Sequence, residues 1–215
     1  MRPIRQYMSD IALPLKTVLY SRLRLNRRPS NQLMMIWLKK ALIDNKHLKT
    51  AIDVGCGKSI NRKFFKNKRY IGVDFKEKFI ENARNYYVND SFYVVDLAHE
   101  VPPAGNLVVC TLVFNNKRYP LQRTLEGLNN LIKAVSKGGS LIFTIGNSNY
   151  RYKNKIDKIL KENFENIISK KYGNFNIRPT YLSYPISFLM HWFKPLRIDK
   201  SNKMYFYSCS RKKNE

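Results

Sequence analysis

Three aspartates and a glycine-rich turn are the residues of this chain with the clearest chemical potential. Asp53, Asp74 and Asp96 each lie at the end of a short apolar segment, and Asp53 is followed by the Gly-Cys-Gly turn 55–57. Glycine allows a backbone to approach a ligand closely because it has no Cβ. Carboxylates accept hydrogen bonds from hydroxyl and amino groups. Asp74 is therefore suited to the two hydroxyls of a ribose, and Asp96 to the amino group of an adenine.

Short apolar segments alternate along the chain with helical ones, which predicts an α/β fold. The predicted strands are 50–54, 70–74, 91–96, 107–112 and 141–145, with two further strands at 167–172 and 204–210. The first five are apolar without clean alternation, as expected for strands that are covered on both faces. Because open α/β sheets bind ligands at the carboxyl ends of their strands, the three aspartates should meet at one edge of the sheet.

Four helices are predicted between and before these strands. An apolar stripe over 121–135 predicts an amphipathic helix that begins after Pro120 and ends at Gly138-Gly139. A second helix spans 155–165. The helix after the second strand should carry Phe75, Phe79, Ala83 and Tyr86 on one face. The helix before the first strand is marked by Leu33, Ile36, Trp37 and Ala41 and should pack against the sheet.

Over about residues 31–147 the chain resembles the class I S-adenosylmethionine-dependent methyltransferases. Asp53-Val54-Gly55-Cys56-Gly57 is similar to the first motif of that family, Asp74 to its ribose-binding acid and Asp96-Leu97 to its adenine-contacting pair. The resemblance implies a Rossmann-like, mostly parallel seven-stranded sheet with helices on both faces and an antiparallel last strand. It also implies S-adenosyl-L-methionine as the cofactor, bound by Asp53, Gly55, Cys56, Gly57, Asp74, Phe75, Asp96, Leu97 and Cys110.

One departure from the first motif and one rival cofactor bear on this interpretation. Ser59 replaces the third glycine of the motif, and it could cap a following helix. A nicotinamide dinucleotide site would need a glycine at position 60, which is Ile60, and it would have no use for Asp53 and Asp96. The sequence therefore favours S-adenosylmethionine.

The sequence does not identify a catalytic residue. The segment 113–119 lacks the Asn/Asp-Pro-Pro-aromatic pattern associated with methylation of exocyclic amino groups. Asn115 and Asn116 could orient a substrate or form a turn. His99 could act as a base or lie on the surface, and His191 could reach the pocket or pack among aromatic residues.

The three cysteines of the chain are far apart and have no Cys-x-x-Cys spacing. They predict neither a disulfide framework nor a zinc site, and no metal is expected. An odd number of unpaired cysteines fits a reducing compartment.

The formal net charge of +25 is concentrated in residues 1–50 and 148–215. Such a field favours an anionic partner, which could be nucleic acid, a membrane surface or a phosphorylated substrate. We interpret 1–30 as a basic amphipathic extension and 31–215 as a single methyltransferase domain. The aromatic segment 175–197 is interpreted as a lid or insertion, although it could equally pack on the sheet or dip into a membrane surface.

Two substrate classes and one non-enzymatic function remain open at this point. The favoured class is O-methylation of a small anionic or membrane-associated acceptor, such as a glycan, a lipid or a natural-product intermediate. The alternative is RNA, with the basic flanks on phosphates and tyrosines stacked on bases. The third is a module that binds the cofactor without turnover, which the intact acids disfavour. We expect a soluble, cytoplasmic protein, or one peripheral to the inner face of the membrane, and predict no oligomeric state.

Overall fold

Strands and helices alternate through the part of the chain that the structure describes. This part, in a computed structural model, comprises residues 29–59, 61–114, 119–146, 149, 152–175 and 198–213. The elements in chain order are α1 (Pro29–Asp44), β1 (Thr50–Val54), a 3₁₀ helix (Arg62–Phe64), β2 (Arg69–Asp74), α2 (Glu77–Tyr86), β3 (Ser91–Val94), β4 (Gly105–Phe114), α3 (Leu121–Ala134), β5 (Val135–Gly146), α4 (Lys153–Asn163), β6 (Phe164–Phe175) and β7 (Ile198–Lys212).

The seven strands form one sheet in the order β3-β2-β1-β4-β5-β7-β6. The first five strands in this order, β3-β2-β1-β4-β5, run parallel to one another. Strand β7 runs antiparallel to both β5 and β6. The predicted Rossmann-like sheet with an antiparallel last strand is thereby confirmed. The strand order reverses between β1 and β4, so the carboxyl ends of these two strands flank the crevice in which such sheets bind ligands.

Helices cover both faces of the sheet, because the strands are apolar on both sides. Ala51, Leu107 and Val109 belong to a buried cluster with residues of α1 and α2. Their strand neighbours Ile52 and Val108 belong to a second cluster with residues of α3 and α4. Successive residues of a strand point to opposite faces, so continuous apolar runs are what a two-sided core requires.

The end predicted for the helix after β4 is wrong. Helix α3 begins after Pro120, as expected, but it ends at Ala134, and the glycine pair 138–139 lies inside β5. Gly105 of β4 pairs with Val135, whereas Leu107 pairs with Ser140, so β5 bulges between these contacts. Gly138 has a φ of +69° in the bulge. Left-handed glycines serve both helix ends and strand bulges, and the sequence alone did not distinguish the two.

The inner faces predicted for α1 and α2 are also partly wrong. In α2, Ile80 and Ala83 are buried, whereas Tyr86 is exposed and Phe75 precedes the helix. In α1, Ala41 is buried as predicted, but Ile36 is exposed. The other buried residues of α1 are Met34, Met35, Leu38 and Leu42. Residues 33–38 are all apolar, so the pattern could not decide which side of α1 faces the sheet.

The turn after β1 leads into a single turn of 3₁₀ helix rather than an α-helix. The residue preceding that turn is Asn61, so Ser59 does not occupy the capping position predicted for it. Ser59 itself has a φ of +52°, and its carbonyl accepts a hydrogen bond from the Arg62 N–H at 3.0 Å.

The interpretations of 1–30 as an extension and of 175–197 as a lid fall almost entirely on residues outside the described ranges. Within those ranges, no helix is both long enough and apolar enough to cross a membrane.

Candidate functional site

The glycine-rich turn that follows β1 contains two residues in a backbone conformation that only glycine adopts readily. Gly55 has a φ of +73° and Gly57 a φ of +55°. The N–H groups of Gly55 and Cys56 both donate to the carbonyl of Val73, at 2.8 and 3.0 Å, which anchors the turn to β2. A Cβ at Gly55 would lie 2.3 Å from Cγ2 of Val113, whereas a Cβ at Gly57 would meet nothing within 4 Å. Gly55 therefore allows Val113 to pack closely against the turn, whereas Gly57 borders open space.

Asp74 connects this turn to the end of β2. Its Oδ2 accepts the Gly57 N–H at 2.9 Å, and its Oδ1 accepts the Lys76 N–H at 3.0 Å. A carboxylate offers about four acceptor positions, so roughly one remains on each oxygen. The carboxylate is thus held rigidly by the backbone and can still accept two hydroxyl groups.

A cavity of about 590 Å³ opens above the turn, at the carboxyl ends of β1, β2 and β4. Six of the nine predicted cofactor-binding residues lie in its wall: Gly55, Cys56, Gly57, Asp74, Phe75 and Leu97. The other lining residues are Met34, Met35, Val54, Lys58, Asn61, Phe79, Val95, Thr111, Leu112, Val113 and Tyr119.

Asp53 does not line the cavity but lies beneath the turn, in the sheet. Only 1% of the residue is exposed, and Oδ2 accepts the Tyr70 hydroxyl at 2.8 Å. Burial raises the pKa of Asp53 to about 7. The hydroxyl of Tyr70 opposes this rise, and the charge of Asp74 adds to it. Asp53 thus supports the turn from below, on the face of the sheet that carries α1 and α2.

Asp96 and Cys110 are also absent from the cavity wall. Oδ1 of Asp96 accepts the Ala98 N–H at 3.1 Å, and Oδ2 accepts from the Arg123 guanidinium at 3.2 Å. Cys110 is fully buried in β4, and burial raises the pKa of its thiol. Burial likewise raises the pKa of Cys56 to about 12, so that thiol stays protonated in the wall. The cysteines therefore offer no nucleophile at neutral pH.

Of the histidine and asparagine candidates, only His99 lies within the described ranges, and it does not line the cavity. His99 is largely exposed, with Nε2 at 3.3 Å from a guanidinium nitrogen of Arg123. Asn115, Asn116 and His191 lie outside the described ranges.

The end of β4 forms a wall of the cavity, as the sequence predicted, but through Thr111, Leu112 and Val113 rather than through Cys110. Between Cys110 and Phe114, three residues of β4 face one residue of β5, Thr144, so the strand bulges. Leu112, in the bulge, has a φ of +66° and is 40% exposed, and its N–H donates to Oγ1 of Thr144 at 2.8 Å. A left-handed leucine is sterically costly, by roughly 1–2 kcal/mol. A bulge of this kind has no periodic sequence pattern from which it could be predicted.

Comparison with a protein family now decides the kind of site. Residues 52–143 match the family described as methyltransferase domain, and this range contains the glycine-rich turn, Asp74, Asp96 and the wall of β4. This match to a methyltransferase domain over residues 52–143 agrees with the predicted resemblance to the class I S-adenosylmethionine-dependent methyltransferases. The chain is therefore an enzyme, and its cofactor is S-adenosyl-L-methionine.

Solved methyltransferase structures share the fold of this methyltransferase at low sequence identity. The N-methyltransferase NodS from Bradyrhizobium japonicum WM9, in complex with S-adenosyl-L-homocysteine, is 13% identical with a TM-score of 0.56, over 87% of this chain and 90% of that one. Magnesium protoporphyrin IX methyltransferase from Synechocystis PCC 6803, with bound S-adenosylmethionine, is 17% identical with a TM-score of 0.55, over 84% and 80%.

A third similar structure is the plantazolicin methyltransferase BpumL, in complex with a triazolic desmethylPZN analogue and S-adenosylhomocysteine. It is 13% identical with a TM-score of 0.55, over 96% of this chain and 94% of that one. A comparison with curated protein sequences finds no significant match. These identities establish the fold and leave the acceptor to be argued from the site.

Proposed function

We propose that this methyltransferase transfers the methyl group of S-adenosylmethionine to an ionised oxygen atom of a small anionic acceptor. The observation that carries the proposal is the composition of the cavity. Among the described residues that line it there is no histidine, its only carboxylate is Asp74, and Lys58 supplies an exposed cation.

The residues of the cavity fit the cofactor. Asp74 keeps an acceptor position on each oxygen for the two ribose hydroxyls. Gly57 borders open space that a Cβ would fill, which allows the backbone to approach the ligand. Phe75, which follows Asp74 in the chain, and Leu97 offer apolar surface in the same cavity wall, suited to an adenine ring. We assign these residues to the cofactor and leave Asp53 beneath the turn as a support.

The cofactor, when bound, supplies an electrophilic methyl group on a sulfonium, which passes to the acceptor by in-line displacement. The chain then has to orient the acceptor and exclude water, and placement alone can supply much of the rate. A general base helps only when the acceptor must lose a proton. An ionised oxygen, such as a carboxylate or phenolate, needs no such base. This suits a wall in which the one carboxylate among the described residues, Asp74, is assigned to the cofactor.

The charge of the chain supports an anionic acceptor, and the similar structures support a small one. The net charge of +25 attracts anions from a distance, and Lys58 places a cation at the cavity. BpumL, which shares the fold, is a plantazolicin methyltransferase crystallised with a desmethylPZN analogue, so the fold accommodates natural-product acceptors. A membrane-associated acceptor remains compatible with the basic flanks of the chain.

The proposal is tested by transfer of carbon-13-labelled methyl from S-adenosylmethionine. The purified chain and its Asp74→Ala variant are incubated with a lysate of the native host, and lipid, nucleic-acid, protein and small-molecule fractions are separated. We expect label in the small-molecule or lipid fraction, with a carbon chemical shift typical of an O-methyl group, and none with the variant. Label in RNA would establish the alternative substrate, and an N-methyl shift would overturn oxygen as the acceptor atom.

A further inference from the structure

The end of β4 is the wall of the cavity most suited to the acceptor. In the sheet, β1 separates β2 from β4, so the end of β4 is two strand spacings, roughly 10 Å, from the end of β2. Asp74 ends β2 and is assigned to the ribose, which leaves the end of β4, in the same cavity, to the acceptor. Leu112, Val113 and Tyr119 line the cavity in this region.

A fully buried asparagine outside the cavity wall ties this region together. Nδ2 of Asn149 lies 3.0 Å from each of three acceptors: the carbonyl of Phe114, the carbonyl of Tyr119 and Oγ1 of Thr124. Phe114 is the last residue of β4, and Thr124 lies in the first turn of α3. One side chain therefore connects the end of β4, a residue of the cavity wall and the following helix.

The orientation of the Asn149 amide is dictated by its partners. Carbonyl oxygens can only accept hydrogen bonds, so the NH₂ group must face Phe114 and Tyr119. Oδ1 is then buried, and it finds no hydrogen-bond partner in the described part of the chain. The hydrogen bonds of its NH₂ group give two backbone carbonyls, those of Phe114 and Tyr119, a defined placement.

The side chain that this arrangement places is the phenol of Tyr119. Its ring packs edge-on against Phe114, with centroids 5.5 Å apart, and the Tyr119 carbonyl also accepts the Thr124 hydroxyl at 3.1 Å. Burial raises the pKa of Tyr119 to about 12, so its hydroxyl remains a hydrogen-bond donor at neutral pH. A neutral hydroxyl can donate a hydrogen bond to an ionised oxygen of the acceptor and orient it, while that oxygen keeps its negative charge.

We propose that Asn149 is a positioning residue of this methyltransferase, which holds Tyr119 in the cavity wall at the point of methyl transfer. The placement of that point rests on the proposed function, whereas the hydrogen bonds of Asn149 do not. The two can therefore be tested separately.

The test follows Tyr119 directly by fluorine-19 NMR of protein labelled with 3-fluorotyrosine, its signal being assigned from a Tyr119→Phe variant. Asn149→Asp has nearly the same shape but presents oxygen atoms to both carbonyls. We expect the Tyr119 signal to shift or broaden in Asn149→Asp and, more mildly, in Thr124→Val, which removes one partner and retains the fold. Calorimetric affinity for S-adenosylhomocysteine should stay within about threefold, since Asp74 is untouched. Methyl transfer should fall on the order of 100-fold, because small misplacements at a reacting centre are costly.

The matched control is Asn45→Asp. Asn45 is also a buried asparagine whose Nδ2 donates to a carbonyl, that of Ala41 at 2.8 Å, but it lies outside the cavity wall. The Asn45→Asp variant should have a lower free energy of unfolding than the wild type and an unchanged Tyr119 signal. A Tyr119 signal that is the same in Asn149→Asp and Thr124→Val as in the wild type would overturn the positioning role. Failure of the wild type to bind S-adenosylhomocysteine would instead overturn the cofactor assignment, because the Tyr119 signal is read without ligand.

Discussion

Asp74→Ala should abolish most of the affinity for the cofactor product. In the structure each oxygen of Asp74 accepts one backbone N–H, from Gly57 and Lys76, and keeps about one further acceptor position. A hydrogen bond to a charged group contributes about 1.5–3 kcal/mol, so the loss of two ribose contacts should cost roughly 3–6 kcal/mol. This corresponds to an increase in the dissociation constant of S-adenosylhomocysteine on the order of 100- to 10 000-fold.

Isothermal titration calorimetry with two ligands separates ribose recognition from damage to the turn. S-adenosylhomocysteine and its 2′,3′-dideoxy analogue differ only in the hydroxyls that Asp74 is assigned to bind. The wild type should discriminate strongly between the two ligands, whereas Asp74→Ala should bind both weakly and about equally. Asp157→Asn changes a carboxylate that accepts the Tyr207 hydroxyl outside the cavity, and it should leave both affinities unchanged. Equal discrimination by the wild type and Asp74→Ala would refute the assignment of Asp74 to the ribose.

Two further predictions concern the support of the turn. Gly55→Ala should lower the free energy of unfolding more than Gly57→Ala, because the added methyl meets Val113 at 2.3 Å in the first case and open space in the second. Urea unfolding of both variants measures this, and an equal loss would contradict it. Asp53 has a native pKa of about 7, above its ordinary 3.8, so the native state binds more protons between these values. The free energy of unfolding should then fall as pH rises through this window, by up to about 4 kcal/mol, and Asp53→Asn should remove that fall while Tyr70 keeps an acceptor. A wild type and variant with parallel pH profiles would show that Asp53 titrates normally.

Much of the site could be predicted from the sequence because its parts follow local rules. A parallel strand buried on both faces is a continuous apolar run, so strands β1 to β5 were visible, and the residues that end them fall at one edge of the sheet. Asp74 and the glycine-rich turn therefore met in the structure as expected. The antiparallel β7 followed from the family resemblance rather than from any local pattern.

The sequence by itself determined the strands, the ligand-binding edge and the class of cofactor. The tertiary structure alone decided which groups face the cavity. Asp96 lies at the predicted edge, but its carboxylate pairs with Arg123 of α3, a contact that no local pattern encodes. Leu112 enters the wall because a bulge against β5 turns its backbone left-handed. Asn149 meets Phe114 and Tyr119 across 35 and 30 residues of chain. Such contacts depend on how separate elements pack, and packing arises only once the sheet has brought those elements together.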